Sequence, residues 1–234
     1  MTRDQRERRP SARRNDGADG KDGAVRALAL GAVAAVAAAG FGALAVAVAR
    51  RDTAGADETV RRATAARRDG AVHGAAESVK KVGKWYTYIP GATAAALAVL
   101  AAPGQERGAR SRRVGAGAVM LAGTVATAMN PAFDHLLPQP PAPPGHPSRG
   151  KPVFPSGHAF GPGAVSLAAA YVLSREAIAR PGIAFPAAVA VPVLTAGPRL
   201  LVQKHWISDV LGGYLGAIAV AAACLAAYEA TREA

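Results

Sequence analysis

Residues 24–49 read AVRALALGAVAAVAAAGFGALAVAVA, with Arg26 as their one charge, near the start. As a helix rising 1.5 Å per residue the stretch would be ~39 Å long, more than the ~30 Å hydrocarbon core of a bilayer. A run of that length and apolarity reads as a membrane span, and the rest of the chain is read outward from it. Further apolar blocks follow at 86–102, 114–129, 157–174, 183–202 and 210–228. Together they predict an all-α fold, a six-span transmembrane helical bundle. The second block is the weakest, being short and alanine-rich, and the fifth carries Pro186, Pro192 and Pro198, which are expected to kink it. Mean hydropathy is only +0.13 because charged segments dilute the average. A soluble alanine-rich bundle is the alternative, and block lengths near the ~20 residues of a span disfavour it.

The polar segments divide the chain into three parts. Residues 1–23 mix charges of both signs with Gly and Asp and show no apolar periodicity, as in a disordered cytoplasmic tail. The pairs Arg8-Arg9 and Arg13-Arg14 precede the apolar run, and Ala47-Val48-Ala49 offers small residues at a cleavage point, so an export signal has to be weighed. The run is well beyond the ~7–15 residues of a signal core, and a retained first span is the expectation. Residues 24–84 form the second part, the first span and a basic segment: 50–84 holds nine basic and five acidic residues, and a short helix over 57–81 is expected at the membrane surface. Residues 85–234 form the third part, a membrane domain with the remaining spans.

A net charge of +12 raises the question of nucleic acid. The basic residues lie in tails and loops beside apolar blocks, with acidic residues interspersed and little aromatic interleaving, so membrane lipids with anionic headgroups are the expected partner and nucleic acid is not. Cys224 is the only cysteine, so no intrachain disulfide can form. Residues 130–155 contain nine prolines and are expected to form an extended loop outside the hydrocarbon. The sequence shows no internal repeat and no nucleotide-cradling glycine motif, and leaves the oligomeric state undecided.

Two short stretches carry chemistry. In 195–213, TAGPRLLVQKHWISDVLGG, Arg199, His205 and Asp209 stand at intervals of six and four just before the last apolar block. If the chain is helical from Trp206, His205 and Asp209 lie one turn apart on one face, so the carboxylate can hold one imidazole nitrogen and leave the other as a directed lone pair. Arg199 supplies a permanently charged fork suited to a tetrahedral oxyanion. Taken alone, the spacing is also that of an ordinary surface pair. The other stretch, Phe154-Pro155-Ser156-Gly157-His158, stands directly before the fourth block. There Ser156 can cap the helix, and the amides of Gly157 and His158 offer an anion site. His158 at its mouth can protonate a leaving oxygen.

P-S-G-H followed about forty residues later by R-x5-H-x3-D, each at the start of an apolar helix, resembles the type 2 phosphatidic acid phosphatase family. These are integral-membrane lipid phosphate phosphatases, related in site architecture to vanadium haloperoxidases and bacterial acid phosphatases. The resemblance covers about residues 85–228. It implies a phosphatase active site at the outer membrane-water interface, in the plasma membrane, acting on a lipid phosphate or diphosphate without metal or other cofactor. By the same resemblance His205 attacks phosphorus to give a phosphohistidine, Asp209 orients His205, and His158 protonates the leaving group. Arg199, Ser156 and the Gly157 amide hold the phosphoryl oxygens. An outward-facing site also puts the basic segment 50–84 outside, against the positive-inside tendency, whereas 103–113, with four basic residues, conforms to it.

The chain departs from the family at one place. The K-x6-R-P motif expected at the end of the third span corresponds to 130–138, where Asn130 stands for the lysine and Leu137 for the arginine. Arg149 and Lys151, on the loop before P-S-G-H, are the candidate replacements, Lys151 first. Failing them, the chain is a slow enzyme or a non-catalytic protein that binds lipid phosphates. His135 and His146 are assigned no catalytic purpose.

Overall fold

The computed structural model describes residues 16–65, 70–78, 81–103, 107–144 and 153–232. Among these the chain is helical and holds no strand: α1 is Asp16–Arg50, α2 Ala54–Ala65, α3 Gly70–Ser78, α4 Trp85–Ala101, α5 Arg107–Leu136, α6 Gly157–Arg175, α7 Pro181–Leu201 and α8 Ile207–Thr231. Every apolar block of the sequence is a helix. By length and composition α1, α5, α7 and α8 can each cross a bilayer. The count of six is not reached on those grounds, because α4 and α6 fall short of the same standard.

Helix α8 is the axis, with buried residues spread along it from Ser208 to Glu229, α1 along one side and α6 along another. α5 closes against α6 and α8, α4 against α5 and α6, and α7 against α6. The core is built from Val99, Val119, Phe133, Phe160, Val172 and Tyr228, set among alanines that let helix axes approach. The outer face of α7 exposes Ile183, Val189, Val193 and Leu194, as a lipid-facing surface does. At the end of the bundle where α6 and α8 finish, buried Glu229 accepts hydrogen bonds from Tyr171 (2.9 Å) and Arg175 Nε (2.7 Å). Tyr228 and Ser111 both donate to Glu176 there.

Several local expectations need correcting. The tail does not stay irregular to residue 23, since α1 begins at Asp16. The connection after α1 holds two helices, α2 and α3, rather than one over 57–81. Helix α5 runs six residues past Asn130 although Pro131 lies inside it. That proline forfeits one hydrogen bond, after which Ala132 to Leu136 resume the helix and the Leu137 N–H donates to Phe133 O at 3.1 Å. The fifth block is a single helix despite three prolines. Pro192 cannot donate to the Ala188 carbonyl four residues back, and the Ser166 hydroxyl donates to it instead, at 2.9 Å.

Candidate active site

Alternation of the helices brings three connections to one end of the bundle: the one after α1, the proline-rich one before α6, and 202–206 before α8. The proline-rich connection is fastened by Gln139. Its Oε1 accepts from the N–H groups of Val153 (2.9 Å) and Phe154 (3.0 Å), and its Nε2 donates to Phe154 O (2.8 Å). The Phe154–Pro155 bond is cis. Ser156 follows, fully buried, and donates its N–H to the Asp209 carbonyl at 2.9 Å. The two motifs are thus tied backbone to backbone. Gly213 is needed for this approach: a Cβ there would lie 2.6 Å from Ser156 O and 2.7 Å from Ala159 Cβ.

Ser156 occupies the N-cap position of α6 but makes no side-chain cap bond, contrary to expectation. Its Oγ is buried and has no hydrogen-bond partner among the described residues. The first turn is closed through the backbone, with Ser156 O accepting from the N–H groups of Ala159 and Phe160, both at 3.0 Å. The hydroxyl is left for something else.

His158 follows on the first turn of α6, and the Thr195 hydroxyl of α7 fixes its carbonyl at 2.6 Å. His205 stands at the entry to α8. Trp206 is the N-cap of α8, so the helix begins one residue later than read from the sequence, and Asp209 Oδ2 accepts the Trp206 N–H at 2.8 Å while lying 3.3 Å from His205 Nδ1. Asp209 has no exposed surface and the His205 side chain is 13% exposed, so the pair is shielded from water. The rings of His158 and His205 lie with centroids 6.4 Å apart and planes tilted at 57°.

Arg199, on the last turn of α7, has Nε and Nη1 buried without an acceptor among the described residues. Asn130 lies against the P-S-G-H turn, its Oδ1 3.0 Å from where a Gly157 Cβ would be. The position read as the family's lysine is therefore at the site and neutral. Leu137 packs into the core beside Phe154 and offers nothing polar. His135 is exposed on α5. Arg149, Lys151 and His146 lie outside the described residues.

The connection after α1 contributes residues that the sequence did not single out. Asp57, 6% exposed, accepts from the Ser208 N–H and from the Ser208 hydroxyl, both at 2.9 Å, and so caps α8 from another element. Gln203 donates to Thr64 Oγ1 at 3.2 Å, and Lys204 pairs with Glu77. Gly83 rests on the His158 ring: a Cβ there would be 2.6 Å from Cγ and closer still to Cδ2. Nothing in the sequence marked Asp57, because a buried cap acting across more than a hundred residues leaves no periodicity or spacing to read.

A family model described as "PAP2 superfamily" matches residues 116–233. Among solved structures, the chain is similar to the first transmembrane PAP2-type phosphatidylglycerolphosphate phosphatase from Bacillus subtilis. The identity is 18% and the TM-score 0.66, over 80% of this chain and 92% of that one, a likeness of fold. No curated protein matches the chain by sequence.

Proposed function

This chain belongs to the PAP2 superfamily, a phosphatase family, and on that footing we propose that it is a multi-pass membrane hydrolase of lipid phosphates working through a phosphohistidine. The observation that carries the reading is the neighbouring pair of imidazoles with centroids 6.4 Å apart, one of them backed by a buried carboxylate. Asp209 keeps the proton of His205 on Nδ1, so that Nε2 presents its lone pair to phosphorus. As the His205–phosphorus bond forms, the bond to the leaving oxygen breaks and His158 gives that oxygen a proton. In the second step His158 takes a proton from water, the water oxygen joins phosphorus, and His205 and inorganic phosphate part. The donors of Arg199 and the hydroxyl of Ser156, without partners among the described residues, supply hydrogen bonds to the equatorial oxygens, which gain charge in the transition state.

The site lies at one end of the bundle, so the substrate presents its headgroup at the membrane surface while its tail stays among the lipids. We place that end at the outer face of the plasma membrane, as the family resemblance implies; the four basic residues of 103–113 agree with that orientation, while the basic segment 50–84 runs against the positive-inside tendency. The packing of α4 and α6 beside α5 and α8 supports six crossings rather than four. A second reading, binding of lipid phosphates without turnover, is favoured by Asn130 and Leu137, which leave two expected cations missing. Phosphate release from a panel of lipid phosphates in detergent separates the two. The hydrolase reading expects release that falls at least about 1,000-fold in His205→Ala, whereas release unchanged by that substitution sinks the mechanism.

A further inference from the structure

Loss of charge at positions 130 and 137 leaves a phosphoryl group poorly neutralised if Arg199 acts alone. We propose that the turn from Lys81 to Lys84 supplies the missing charge, with Lys84 as the principal oxyanion-binding cation and Lys81 beside it. The inference rests on the phosphoryl site described above but not on turnover there.

Four observations support it. The turn is seated on the site, since Gly83 touches the ring of His158 so closely that no side chain fits between them. Its backbone is fixed: Lys84 N–H donates to Lys81 O at 3.2 Å, Thr87 N–H to Lys84 O at 2.9 Å, and the Thr87 hydroxyl to Lys81 O at 2.9 Å. The preceding helix is tethered as well, through the ion pair of Glu77 with Lys204. Finally, Lys81 and Lys84 are exposed and have no ion-pair partner among the described residues, whereas Lys204 is committed to Glu77.

A lysine stem of four methylenes, starting next to a residue in contact with His158, spans to an anion held beside the same ring. The turn precedes residues 116–233, so the match to the family leaves it unassigned. Of the two missing cations it restores the lysine's point charge but not the arginine's planar fork.

The test is the affinity of the full chain in detergent for orthovanadate, a phosphate-shaped oxyanion, followed by calorimetry beside phosphate release. The expected result is a weakening of about tenfold or more in Lys84→Gln, larger when Lys81→Gln is added, with most affinity kept in Lys84→Arg. Arg180→Gln, exposed at the opposite end of the bundle, should bind as wild type does. Lysine-dependent binding in a protein that releases no phosphate upholds the proposal and removes the hydrolase reading. Unchanged affinity in the double variant, with His205-dependent release intact, overturns the proposal and leaves that reading standing. The proposal is also overturned if Arg180→Gln weakens binding as much, or if wild-type protein binds no orthovanadate.

Discussion

Replacing Asp57 by alanine removes, from outside α8, the two acceptors that hold its first turn. Both hydrogen bonds from Ser208 are 2.9 Å long, and Ser208 is 3% exposed, so water does not take the place of the carboxylate. Loss of a helix cap costs about 1 kcal/mol, and each buried donor left without an acceptor about 1–3 kcal/mol. With partial relaxation the sum is about 2–4 kcal/mol. The loosened turn lies between His205 and Asp209, and a displacement of the nucleophile by about 1 Å lowers turnover roughly 100-fold. Asp57→Asn separates capping from charge, since its carbonyl still accepts the N–H and its amide can donate to the hydroxyl. Thermal unfolding in detergent and phosphate release, measured together, should show Asp57→Ala impaired in both and Asp57→Asn close to wild type. An alanine variant that is as stable and as active as wild type, or an asparagine variant as damaged as alanine, refutes the reasoning.

Two further perturbations bear on the frame. Gly213→Ala puts a methyl group against the Ser156 carbonyl and the Phe160 N–H (3.2 Å), both backbone, so it should cost about 1–3 kcal/mol and lower phosphate release by prising the two motifs apart. Wild-type activity with an unshifted unfolding midpoint would show that the close approach is not required. At the other end of the bundle, Glu229→Ala strips Arg175 and Tyr171 of a fully buried carboxylate and should destabilise by about 3–5 kcal/mol. The check there is that the residual folded fraction hydrolyses substrate at the wild-type rate per molecule.

Much of this fold could be read from the sequence, because a bilayer imposes a length and an apolarity on each helix that leave a direct trace. The six blocks became α1, α4, α5, α6, α7 and α8 with ends displaced mostly by a few residues. Proline was the misleading signal. Pro131 and Pro192 lie inside helices, one where the chain simply resumes its turn and the other where the Ser166 hydroxyl makes good the lost bond, and neither rescue is written near the proline itself. The site divided in the same way. His158, His205 and Asp209 were legible because fixed spacing on a helix start determines direction. Asp57, Gln139 and Gly83 were not, because each acts on a backbone or ring that the fold, rather than the local sequence, brings to it. The basic connection 50–84, read from composition as a segment lying on the membrane, also grips the stretch 203–208 before and at the start of α8 through Asp57, Thr64 and Glu77.

The central claim is that His205 becomes covalently bonded to phosphorus, and rapid acid-free quenching of the protein with a radiolabelled lipid phosphate, followed by peptide mapping, addresses it directly. The account predicts label on the peptide containing His205, stable in base and lost in acid, and absent from His205→Ala. Steady phosphate release by wild-type protein with no label on that peptide, or with label on His158 instead, would contradict it.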